Sequence, residues 1–104
     1  MIISTTHEIP GREIESAVGI ARGSTVRARN AGRDITAMLK GIVGGEIKEY
    51  TRLLADARES ALQRMMADAE AQGADAVLNV RFTTSAVMQG AAEILAYGTA
   101  VKLK

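Results

Sequence analysis

Along Glu13 to about Arg27, side chains alternate with a period of two. Ile14, Ser16, Val18, Ile20 and Arg22 fall on one side, and Glu13, Glu15, Ala17, Gly19 and Ala21 on the other. That period predicts a long strand with one bulky side and one small or acidic side. Gly19 and Gly23 mark where a bulge or a close backbone approach fits. Ahead of it, Met1 to Thr5 reads as a short strand. Ile9-Pro10-Gly11-Arg12 then places Pro and Gly at the two central positions of a type II turn, which predicts a hairpin-like reversal. After Asn30-Ala31-Gly32 the period changes: Ile35, Met38, Leu39 and Ile42 lie at i, i+3, i+4 and i+7, one face of a short helix that Gly41, Gly44 and Gly45 break.

From Glu46 to Gln72 there is no Gly or Pro, and strong helix formers dominate. The apolar stripe runs Ile47, Tyr50, Leu54, Ala57, Ala61, Met65 and Ala69, with Leu53, Leu62 and Met66 as shoulders and charged residues opposite. Gly73 sits where a left-handed C-terminal cap belongs, and Asp75 opens the next turn. Ala76 to Thr84 alternates again, with Ala76, Leu78, Val80 and Phe82 on one side and Val77, Asn79, Arg81 and Thr83 on the other. A loop through Thr84, Ser85 and Gln89-Gly90 leads to a last strand, Glu93 to Lys104. There Leu95, Tyr97, Thr99, Val101 and Leu103 form a bulky row, backed by a flat row of Ala96, Gly98 and Ala100. The whole predicts an α+β fold: an antiparallel sheet packed by one long helix plus a short helix.

The chain has 104 residues and no Pro-rich, Ser-rich or charge-run stretch that would separate two cores, so residues 1–104 read as a single domain. At 47% hydrophobic and 24% charged, the composition is globular and excludes disorder. A formal charge of +1 gives little field for gathering nucleic acid or anionic membrane, so neither is an expected partner. The absence of Cys removes disulfides, thiolate ligands and Cys nucleophiles. Neither a signal-type h-region nor an apolar run of membrane-spanning length is present, so a cytoplasmic location is expected.

Two features predict self-association. The long helix would reach about 40 Å at ~1.5 Å per residue. A compact chain of this size, with a radius of gyration near ~13 Å, is only about 34 Å wide, so the helix should overhang its sheet. The last strand is apolar or small on both sides, and uncovered apolar sheet surface is normally a contact surface. The alternative is a monomer in which the short helix and the loop from Thr84 to Ala92 fold over the second face.

Several of these segments together resemble the YbjQ-like family. They include Ile9-Pro10-Gly11, the run from Ile20 to Asn30, Arg33-Asp34-Ile35, Ile42-Val43-Gly44-Gly45-Glu46-Ile47 and Tyr50. Asp56-Ala57-Arg58, Gly73-Ala74-Asp75-Ala76-Val77, Val80-Arg81-Phe82 and the run from Ala91 to Val101 continue the match over nearly the whole chain. The resemblance implies a dodecin-like, two-layer β-α-β-β subunit assembled into a ring, a homopentamer. It also brings a heavy-metal-binding label, without catalytic residues to carry over. The chain departs from the commoner pattern at Leu78-Asn79, where many members have a β-branched residue and Gly.

Metal comes first among the candidate chemistries. Soft metals want thiolate, thioether or imidazole ligands, and the chain offers no Cys, one His and five Met. A closed site within one subunit is not expected, although a ring could converge His7 and Glu8 from several copies. The ordinary reading of His7 is a solvent-exposed residue in a connection, and of Met38, Met65 and Met66, core filler. Arg22, Arg27, Arg29 and Arg33 form the second candidate: a basic cluster suited to bidentate binding of a small anion, or to pairing with acids of a neighbouring subunit. Gly41-Ile42-Val43-Gly44 spells the GxxG of a nucleic-acid-binding loop, but its middle positions are apolar, and a turn between helices explains the glycines better. No nucleophile elbow or P-loop is present, and Glu13 and Glu15 read as acids on a wet face. The expectation is therefore a homo-oligomeric binding or scaffold protein holding a metal ion or small anion between subunits. The alternatives are an enzyme with an intersubunit site using His7, an Arg or a carboxylate, and a purely structural assembly module.

Overall fold

A computed structural model describes residues 1–28, 42–43, 46–88 and 91–104. Strands β1 (Ile2–Ile3) and β2 (Ile14–Ala28) are followed by β3 (Ile42–Val43) and β4 (Glu46–Ile47), which pair with each other. Helix α1 (Lys48–Ala71) and strands β5 (Ala76–Met88) and β6 (Ala91–Leu103) complete the chain. Residues 35–41 of the short helix expected over Ile35 to Ile42 lie outside the described residues, as do Arg29, Arg33 and the GxxG glycines Gly41 and Gly44, while Ile42 itself is a strand residue of β3 and not the end of a helix.

The main sheet has the order β1-β5-β6-β2. Its β2 and β5 strands each pair antiparallel with β6, so β2-α1-β5 is a split β-α-β unit with β6 laid between its strands. The expectation of a wholly antiparallel sheet is corrected by β1, which pairs parallel with the start of β5, Ile2 opposite Ala76 and Ile3 opposite Val77. The Pro10-Gly11 turn forms as predicted, with Gly11 at φ +81° and Arg12 N–H donating to Ile9 O at 3.1 Å. It does not fold β1 onto β2, however: these strands are the two edges of the sheet. The connector crosses the face away from α1, where Ile9 packs on Ala76, Leu78, Val101 and Leu103.

Helix α1 lies on the small side of the sheet. Its Ala57, Ala61, Met65 and Ala69 are fully buried against Ala21 of β2 and Ile94, Ala96 and Ala100 of β6. Small residues on both surfaces let helix and sheet approach closely, and a Cβ on Gly23 would stand 2.5 Å from Ala61 O. Side chains along one helix flank fasten the outer edge of β2. Arg27 Nη2 donates to Ser60 Oγ, Arg64 Nη1 to Ser24 O, Arg22 N–H to Asp68 Oδ2, and Gln72 Nε2 to Ile20 O. The regularity has a simple origin: four helical residues advance about 6 Å and two strand residues about 6.6 Å. The helix ends in a Schellman motif, with Gly73 at φ +81°, Gly73 N–H on Glu70 O and Ala74 N–H on Ala69 O.

The clean alternation expected over Ala76 to Thr84 is interrupted. Asn79 has φ +54°, and Asn79 and Val80 together oppose Gly98 in a β-bulge. Ala76 and Leu78 therefore face away from α1, whereas Val80 joins Val77 in the core under the helix. A Cβ on Gly98 would lie 2.6 Å from Val77 Cγ1 and 2.7 Å from Leu78 O, so the bulge requires glycine opposite it. Asn is, after Gly, the residue that best tolerates the left-handed region. The departure at Asn79 from the commoner family pattern thus keeps the backbone geometry that Gly would give.

Strand β5 continues to Met88, so Thr84 and Ser85 are strand residues, not the expected loop. Strands of 13 and 15 residues make the molecule elongated, with extents of 54 × 25 × 16 Å and a radius of gyration of 17.0 Å. A sphere with a radius of gyration near ~13 Å is therefore too small a frame for this molecule. At one end Ser60 sits opposite Arg27, next to the last residue of β2, and Ala57 and Leu54 before it still pack on the core.

Candidate functional site

The β5 bulge borders a small open pocket. Ser4 N–H donates to Val77 O, Val80 N–H to Ser4 O and Asn79 N–H to Thr6 O, which stitches the start of the β1–β2 connector along β5. Within the connector, Thr6 N–H donates to Ser4 Oγ at 3.0 Å and Thr6 Oγ1 to Glu8 O at 2.6 Å. Arg81 Nη1 donates to Thr5 O at 3.0 Å and to Val80 O at 2.9 Å. These bonds border an open pocket of about 310 Å³ lined by Thr5, Thr6, His7, Glu8, Pro10, Asn79 and Arg81. That volume is at the lower end for small-ligand sites.

Two of the sequence-predicted residues, His7 and Glu8, meet here. Asn79 and Arg81, more than seventy positions away, were not among the expected site residues. The donor set does not fit a heavy-metal ion within one chain. It offers one imidazole and one carboxylate beside a guanidinium, and no group of three His, Cys, Asp or Glu that could hold a metal occurs among the described residues. The Ser4 and Thr6 hydroxyls bond to each other at 2.5 Å, and Thr6 Oγ1 also bonds to Glu8 O, so neither hydroxyl is activated by His7.

The basic cluster is divided. Arg27 lies toward α1 in a second cavity of about 510 Å³ with Asp56, Glu59, Ser60, Gln63 and Arg64. Its Nη2 reaches Ser60 Oγ at 3.2 Å, while its buried Nε has no partner among the described residues. Arg64 Nη1 is engaged by Ser24 O at 2.6 Å and Thr25 Oγ1 at 3.3 Å. Two guanidinium groups and two carboxylates leave this cavity electrostatically balanced. Arg22 is exposed and, five residues from Arg27 on a strand of period two, points to the opposite face. The structure does not bring Arg22 and Arg27 together.

The distal half of β5 is the other conspicuous feature. Every residue from Arg81 to Met88 is exposed, including Phe82 (46%), Val87 (52%) and Met88 (67%). On the sheet face away from α1, Ile20 (68%) and Val26 (57%) are exposed as well. Among the described residues no strand pairs with the outer edge of β5 beyond the β1 contact. Among the described residues no helix is long and apolar enough to cross a membrane.

Comparison with known proteins places these features in a family. A UPF0145 protein of Colwellia psychrerythraea is 61% identical over 104 residues, covering 100% of this chain and 99% of its own. Others from Methanosarcina acetivorans and Archaeoglobus fulgidus are each 60% identical, covering 99% and 100% of this chain and 97% and 96% of their own. A crystal structure of a protein of unknown function of the DUF74 family from Pediococcus pentosaceus has the same fold. Its TM-score is 0.63 at 14% identity, over 100% of this chain and 98% of that one. The YbjQ family model, described as "Putative heavy-metal-binding", matches residues 1–104, and the chain belongs to that family.

Proposed function

We propose that this protein is a homo-oligomeric binding module, a closed ring of five copies, that holds a small anion or a metal ion where copies meet. The observation that carries the reading is the uncovered distal half of β5, with Phe82, Val87 and Met88 exposed on a strand that has a free edge. The two sheet edges are treated differently. Side chains of α1 cap β2 at Ile20, Arg22 and Ser24, as soluble proteins protect an edge, whereas nothing comparable blunts β5 between Phe82 and Met88 among the described residues. A strand with Phe82, Val87 and Met88 exposed, and with its edge unpaired among the described residues, is suited to a second chain. Closed cyclic symmetry would satisfy every such strand, and the number five rests on the family resemblance.

A metal would need donors from more than one copy, because His7 and Glu8 supply only two per chain. Arg27, which faces α1 beside Asp56 and Glu59, is the described member of the basic cluster that a neighbour's charged group at the helix side would meet. Native mass spectrometry of untreated protein tests the reading by counting subunits and retaining tightly held ions. Five copies are expected, and a monomer at micromolar concentration would defeat it.

A further inference from the structure

The geometry points to a second binding site, contained within one chain: the cavity between the β1–β2 connector and the β5 bulge takes a small zwitterion of the amino-acid class. Arg81 spends Nη1 on two backbone carbonyls, Thr5 O and Val80 O, which fixes the plane of its guanidinium. Its Nε–Nη2 edge has no partner among the described residues, and that edge is a two-donor fork matched to a carboxylate. Asn79, held by its left-handed backbone and by Asn79 N–H on Thr6 O, is exposed and lines the same pocket as Arg81.

Charge decides the class of ligand. The cavity contains one guanidinium and one carboxylate, Glu8, and among the described residues these do not form an ion pair. A dianion would meet the repulsion of Glu8, and a metal cation that of Arg81. A molecule with a carboxylate at one end and an ammonium at the other satisfies both, with Thr5 and Thr6 as neutral wall. The volume of about 310 Å³ suits a small member of that class. The residues argued here lie on one chain, so ligand binding and subunit count are measured separately.

The test is a ¹H–¹⁵N NMR titration of the intact protein with L-alanine, succinate and zinc chloride separately, read at Arg81 Nε–H, the Asn79 side chain and His7. Saturable movement with L-alanine, tighter than with succinate, is expected. Arg81→Lys should weaken L-alanine binding at least about tenfold, because a point charge replaces the fork. Glu8→Gln, which leaves the connector's backbone bonds in place, should abolish the preference for L-alanine over succinate. Unchanged binding in Arg81→Lys, equal or tighter binding of succinate to the unaltered protein, or a saturable response at His7 to zinc alone would each overturn the assignment. A subunit count of one with L-alanine binding intact would defeat the ring and leave this site standing.

Discussion

Replacing Gly23 by Ala tests the closeness of helix and sheet, on which the fold depends. An added Cβ would strike Met65 N and stand 2.5 Å from Ala61 O and 2.6 Å from Arg64 C, all backbone atoms of α1. Ordinary contact is 3.4–4 Å, and no rotamer change relieves a clash with backbone, so the helix must retreat by about 1 Å. A gap of that size forfeits roughly a quarter to a half of each contact's dispersion energy along the buried Ala57, Ala61, Met65 and Ala69. It also stretches the bonds that tie Ser60, Arg64, Asp68 and Gln72 to β2, each worth about 1 kcal/mol. Overpacking of this kind costs about 1–3 kcal/mol, and the reduced freedom of the unfolded chain returns about 0.4–1 kcal/mol. The net expectation is a loss of about 1 kcal/mol. Urea unfolding followed by circular dichroism, at one fixed protein concentration, should show the midpoint falling by about 1 M. Gly11→Ala is the control: its Cβ meets nothing within 4 Å, so only its φ of +81° is penalised. A Gly23→Ala midpoint within experimental error of the parent would refute the reasoning.

At the bulge, Asn79→Gly should leave stability within about 0.5 kcal/mol of the parent. Asn79→Val should lose about 2 kcal/mol in the same assay, since a β-branched residue at φ +54° is strained. Asp68→Ala removes the acceptor for Arg22 N–H and a partner of Gln72 Nε2, and should cost about 1 kcal/mol of thermal or urea stability. Val87→Lys places a charge on the open strand. It should lower the subunit count read by light scattering without changing the helical signal, whereas an unchanged count would place the interface elsewhere.

Local periodicity carried the sequence reading of the fold. Ala57, Ala61, Met65 and Ala69 are buried as their spacing required, and Gly73 and Gly11 take the positive φ that a cap and a type II turn demand. What escaped is non-local or disguised. Leu78-Asn79-Val80 continues an apolar–polar–apolar rhythm, so nothing in the spacing reveals that two of these residues oppose one on β6. The available signals were Asn, tolerant of left-handed backbone, and Gly98 across from it. Thr84-Ser85 reads as loop because its residues are polar, yet Thr suits a pleated edge. Strand β1 has two residues, too few for a period, and its parallel partner lies over seventy positions away.

The site divides in the same way. His7 and Glu8 stand out as the lone imidazole and an adjacent acid, and they do line one cavity. Arg81 and Asn79 join them only through the sheet's topology. The separation of Arg22 from Arg27, by contrast, was legible: an odd spacing on a strand puts two residues on opposite faces.

Backbone amides along β5 test the central claim, that another copy covers its distal half. Val80 N–H points outward to Ser4 O, so by alternation Phe82, Thr84 and Ala86 also direct their N–H groups to the open edge. Hydrogen exchange at micromolar protein concentration should find these three amides protected well above free-peptide rates, and protection should fall on dilution. Exchange at free-peptide rates, independent of concentration, would show the strand standing bare and contradict the account.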